Sequence, residues 1–164
     1  MVRIYNQTNL VSSILDRLLD DQPEEKWREP LYTRFQNLRQ FKQSVARDLE
    51  ALLNTRREAL EELPLEFSEV RHSLLNYGLP DFSAFNPLSE NDHNQIRQVL
   101  EEAIAVFEPR LARVRVSLHP WYEHERALRF RVEALLRVDP APEQVTFDAV
   151  LRLHTQQYVV EGQD

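Results

Sequence analysis

Glu108, Pro109 and Arg110 form a triplet where an apolar helical period gives way to a period of two. A carboxylate at the end of a helix faces the partly negative carbonyls of the last turn, so it needs a cation to answer it. Arg110 is the nearest cation, and Arg113 or an arginine of a partner are the other candidates. Pro109 fixes its own φ and favours an extended residue before it, which sets the exit angle of the chain. The chemistry on offer is charge pairing at a stiff corner. Two readings follow from it: a structural corner, or a charged corner presented to another protein.

Other residue types offer less. His119 and His124 flank a segment that also carries Glu123 and Glu125, yet their spacing matches no closed zinc pattern. The segment reads as a polar hairpin loop, and no metal site is expected. Asp and Glu total 27. A glycosidase needs two carboxyls at a set separation, which sequence does not reveal, and most of these acids fall on outward helix positions. No Ser-His-Asp arrangement or nucleophile elbow is present. No catalytic residue and no cofactor are expected.

Composition narrows the field further. The 164 residues include two glycines, Gly78 and Gly162, and no cysteine. Phosphate-cradling loops need several glycines close together, because the backbone must approach the phosphates. Disulfides, cysteine-ligated zinc, iron–sulfur clusters and thiol nucleophiles are excluded outright. The net charge of −7 argues against a nucleic-acid partner. The chain nevertheless holds 18 arginines and only two lysines. Residues 110–137 contain seven arginines against three glutamates. Arginine's planar fork suits interfaces and carboxylates, although a GC-rich genome gives the same bias. No run approaches the ~18 apolar residues of a membrane span, and the start has no leader pattern, so a soluble cytoplasmic product is expected.

Several elements must position the corner. A short helix is expected after Ser13, with Ile14, Leu15, Leu18 and Leu19 on one face. Residues 1–30 then read as a docking helix and tether, and 31–164 as one domain. A second helix runs from about Phe35 to Leu53, its stripe formed by Leu38, Phe41, Val45, Leu49 and Leu52. A third is expected from about Glu66 to Asn76, with Phe67, Val70, Leu74 and Leu75 inward and Gly78 as its left-handed stop. The clearest spans Ser89 to Phe107, through Ile96, Val99, Leu100, Ala103 and Ile104.

After Pro109 the period of two begins. Val114, Val116 and Leu118 alternate with Arg113, Arg115 and Ser117. A second strand over 127–138 carries Arg129 and Arg131 on its outward side, and the two strands are expected to pair antiparallel. Strands over 145–154 and 158–160 follow as a hairpin. Helices first and antiparallel strands afterwards define an α+β fold, with the N-terminal helices on one face of a small, mainly antiparallel C-terminal sheet. The outward arginines suggest a basic stripe on the open face, and the sheet edges could accept an added strand.

Five segments in order carry a family resemblance: SILDRLLDD, SVARDLEALLNTR, SLLNYGLPDFS, FEPRLARVRVSL and LRFRVEALLRVDPAPEQVTFDAVL. Together they resemble the TssE family of small type VI secretion baseplate subunits, relatives of a baseplate wedge protein of contractile-tailed phages. Glu108-Pro109-Arg110 coincides with that family's signature. The resemblance implies a structural, non-enzymatic role in the cytoplasm. It implies wedge partners TssF and TssG, TssK reached through the wedge, and initiation of the contractile sheath through its subunits. Partner binding is then expected at Glu108, Pro109, Arg110, Arg113 and Arg115. Two alternatives stand beside it: a peptidoglycan-cleaving, lysozyme-like enzyme, and a free protein-binding adaptor of the same fold.

Overall fold

The structure is a computed structural model that describes Leu10, Leu15, Leu18, residues 38–57, 68–82, Asn86, 89–119, 127–152 and 157–162. Its elements are α1 (Leu38–Asn54), two 3₁₀ turns (Ser68–His72 and Leu74–Asn76), α2 (Glu90–Phe107), and strands β1 (Leu111–Leu118), β2 (Ala127–Leu136), β3 (Glu143–Arg152) and β4 (Gln157–Gly162). The strands form one antiparallel sheet in the order β1-β2-β3-β4. This is the α+β layout expected from the change of period.

One face of the sheet is the core. Leu128, Phe130, Val132, Ala134 and Leu136 of β2 lie beside Val145, Phe147, Ala149 and Leu151 of β3, all buried. The period of two delivers every second side chain to that face. Helix α1 covers it on the β4 side and α2 on the β1 side. Phe41, Val45, Leu49, Leu52 and Leu53 face inward from α1, and Ile96, Leu100, Ala103 and Ile104 from α2. Ser89 caps α2 by accepting the N–H of Asp92 at 3.3 Å.

Three local expectations are corrected. The stretch expected as a helix over 66–76 contains two 3₁₀ turns instead. Ser73 is extended, and its hydroxyl donates to the Val70 carbonyl at 2.8 Å, so it closes the first turn where a helix would continue. Leu74 and Leu75 consequently stand outward, 87% and 61% exposed.

Gly78 adopts φ +102°, but the element just before it is the 3₁₀ turn Leu74–Asn76 and not an α-helix. Its need for glycine is a close approach: a Cβ would sit 2.3 Å from the Thr55 carbonyl oxygen. The two segments run side by side there, with Leu79 N–H donating to Thr55 O at 2.8 Å and Arg57 N–H to Leu79 O at 2.7 Å.

The first strand starts at Leu111, two residues before the alternation from Arg113 onward. Ala112 opposes Leu135 while Arg115 opposes Glu133, so Arg113 and Val114 share one partner position. This is a β-bulge, and Arg113 takes the left-handed φ of 53° usual for glycine there. The extra residue flips the parity and turns Leu111 into the core, where it is 2% exposed.

The expected docking helix falls largely outside the described residues. Leu15 and Leu18 are helical and exposed. The remainder of the tether, the loop with His124, Glu123 and Glu125, and Phe67 lie outside them as well. Among the described residues no helix is long and apolar enough to cross a membrane.

Candidate functional site: the helix–strand corner

Helix α2 ends at Phe107, and Glu108 is its C-cap, its N–H donating to Ile104 O at 2.9 Å. Pro109 follows at the surface. Leu111 N–H then closes the turn onto Glu108 O at 3.1 Å. The carboxylate of Glu108 is thereby folded inward beneath the corner, and the residue is 4% exposed.

A buried carboxylate at a helix C-terminus carries both a desolvation penalty and the opposing dipole. Arg110 offsets both. Its Nε donates to Glu108 Oε1 at 2.6 Å, its Nη2 to Oε2, and its backbone N–H to Oε1 at 3.2 Å. The fork is the geometry in which guanidinium and carboxylate match best. Nη2 also donates to Asp48 Oδ2 on α1 at 2.6 Å. Arg47 holds the other Asp48 oxygen, from Nη2 at 2.8 Å and Nε at 3.1 Å. Beneath the guanidinium lies the Phe41 ring, 5.9 Å from centroid to Cζ. The Arg110 carbonyl accepts Arg137 N–H at 2.8 Å, which ties the corner to the residue after β2.

Burial lowers the Arg110 pKa, but the hydrogen bond and charge of Glu108, then those of Asp48, outweigh it and raise it overall. The guanidinium is a permanent cation. Tyr77 belongs to the same neighbourhood. Its phenol is pushed up by burial first, then by the charges of Asp48 and Glu108. Its ring meets Phe107 edge-on at 5.2 Å. One group is left over: Arg110 Nη1 is buried and has no hydrogen-bond partner among the described residues.

Glu108 and Arg110 are thus paired within the chain. The other two expected residues stand apart from them. Arg113 sits in the bulge, exposed, and Arg115 is exposed opposite Glu133. The expected basic stripe is a mixed face. Arg131 makes a fork to Asp148 at 2.8 and 3.2 Å, and Glu133 lies between the arginines of β1 and the next strand. Asp48, Phe41 and Tyr77 were not legible as site residues. Asp48 did leave a signal: with Phe41, Val45, Leu49 and Leu52 it shares the helical stripe, as a carboxylate among apolar neighbours. Among the described residues no group of three or more His, Cys, Asp or Glu could hold a metal ion.

The family model of the baseplate wedge protein gp25 matches residues 39–141, which run from α1 through the corner to the loop before β3. The chain belongs to this family. Searches of curated proteins and of solved structures returned no match. Membership of the gp25 baseplate wedge family gives the chain a phage-like structural role among other baseplate components. The matched stretch contains Asp48, Glu108 and Arg110, the three ends of the corner network.

Proposed function

We propose that this chain is the TssE-type wedge subunit of a type VI secretion baseplate, assembled on the cytoplasmic face of a bacterial inner membrane. Its corner at Glu108-Pro109-Arg110 binds the wedge proteins TssF and TssG, and TssK is reached through them. One observation carries this reading. The network fixes the corner from two elements while leaving Pro109 at the surface. Rigid presentation lowers the ordering cost of docking. Arg113 and Arg115 continue the exposed surface beyond Pro109 along β1.

The structural reading is favoured over a peptidoglycan-cleaving one by the state of the corner's acids. Asp48 and Glu108 both accept from Arg110. A general acid needs a carboxyl free to reach a sugar's leaving oxygen, and both of these are engaged by the guanidinium.

The second part of the proposal is sheath initiation, with a sheath subunit adding a strand to the sheet. Removing the C-terminal residues would be a blunt test, because Tyr158 of β4 is buried against Phe130 at 6.1 Å. Val160→Pro is sharper. The Val160 N–H donates away from β3, to Glu50, and edge strands accept proline where the N–H faces outward. Sheath growth is expected to stop while binding to TssF and TssG survives. Loss of both activities, or of neither, contradicts strand addition at β4.

A further inference from the structure

Helix α1 builds one side of the corner with two residues. Phe41 and Asp48 are seven positions apart, close to two turns, so they share a face. The Phe41 ring lies beneath the Arg110 guanidinium, and the Asp48 carboxylate meets its Nη2. Phe41 is buried, whereas the side chain of Asp48 is 24% exposed and that of Arg110 21%. The contact between Asp48 and Arg110 is the outer end of the network, and Glu108 is its inner end.

The two carboxylates do different things. Glu108 and Arg110 belong to one turn, so the fork between them travels with that turn and does not orient it against α1. Asp48 does. An arginine Nη2 carries two hydrogens, and here it has two acceptors, Glu108 Oε2 and Asp48 Oδ2. Asp48 is held in turn, because Arg47 donates to its other oxygen from Nη2 and Nε. The carboxylate cannot turn away without losing one of the two arginines. Docking onto a surface set in advance costs less ordering than docking onto one that must be assembled.

We infer that Asp48 is a positioning residue for wedge binding: from α1 it holds the Arg110 guanidinium, and with it the turn at Pro109, in the orientation that TssF and TssG meet. The inference rests on the docking reading of the corner. It adds a residue outside the triplet, 62 positions from Arg110, on which binding depends. Asp48 acts through Arg110 and need not touch a partner itself.

The test is the affinity of the full chain for the TssF–TssG pair, read by biolayer interferometry on variants that circular dichroism shows to be folded. Asp48→Ala is expected to bind about tenfold more weakly than wild type. The control is Asn54→Ala at the end of the same helix. It removes two hydrogen bonds between the Asn54 amide and Tyr158, and it is expected to bind within about twofold of wild type. A folded Asp48→Ala chain that binds as wild type, while Arg110→Ala has lost binding, overturns the inference and leaves the docking reading standing. Equal weakening in Asn54→Ala also overturns it, since any loosening of α1 would then suffice. An Arg110→Ala chain that binds as wild type overturns the docking reading, and the inference with it. Should Asp48→Ala fail to fold, Asp48→Asn is read in its place with the same outcomes, because its amide offers one acceptor to two arginines.

Discussion

Arg110 and Asp48 are 62 residues apart in the chain, and their side chains meet at 2.6 Å. This contact joins α1 to the turn between α2 and β1. The same guanidinium holds the buried carboxylate of Glu108, so one cation serves two anions from two elements. Removing it strands Glu108 in the interior. Breaking a buried pair by deleting one partner costs about 3–5 kcal/mol, and the partial exposure of Asp48 and Arg110 places this case at the lower end. Arg110→Ala is expected to lower unfolding stability by about 3 kcal/mol in urea titration. Asp48→Asn is expected to cost about 1 kcal/mol, since Glu108 remains paired.

Alkaline pH is expected to weaken the fold through Tyr158. Burial pushes its phenol well above the ordinary value of 10.0. Above that value the unfolded chain releases a proton that the native chain keeps. Stability is therefore full below pH 10 and falls as pH rises toward the folded-state pKa, by up to about 1.4 kcal/mol per pH unit. Tyr77 contributes in the same direction. Tyr158→Phe should remove its share of the loss, visible as a flatter dependence of melting temperature on pH above 10. An unchanged alkaline slope in that variant would contradict the assignment.

The bulge gives a prediction of opposite sign. Arg113 is exposed and holds a φ of 53°, where a residue with a Cβ costs roughly 1–2 kcal/mol. Arg113→Gly relieves this, less the extra chain entropy of glycine. A gain of about 1 kcal/mol is expected as a higher urea midpoint with an unchanged slope. Arg113→Val should instead destabilise.

Gly78→Ala should be costly for two separate reasons. The φ of +102° disfavours alanine, and the new methyl would meet the Thr55 carbonyl oxygen at 2.3 Å. The bridge between Thr55 and Leu79 must then open. A loss of at least about 2 kcal/mol is expected. A stability equal to wild type would mean that the two segments separate freely.

The strands and the two long helices were legible because hydrophobic period reports the face that each element buries. The corner triplet was legible because acid at a helix end followed by proline breaks local rules in a recognisable way. What escaped sequence reading depends on tertiary placement. Ser73 carries no sign of whether its hydroxyl will cap or continue a turn. Arg113 gives no hint of a left-handed backbone, so Leu111 was missed from the core. Asp48 belongs to the site only because α1 packs beside the corner. Asn54 and Glu50 read as a helix end and a solvated acid until β4 is placed against them. The basic stripe failed for the same reason, since Asp148 comes from a strand that follows a turn.

The central claim is that this corner is the docking point for wedge partners. The most direct measurement is co-purification of the full chain with TssF and TssG, comparing wild type with Arg110→Ala. The variant's circular dichroism should first show it to be folded at the working temperature. Wild type should bring down both partners, and folded Arg110→Ala should bring down neither. A folded Arg110→Ala chain that co-purified with both as wild type does would contradict the account.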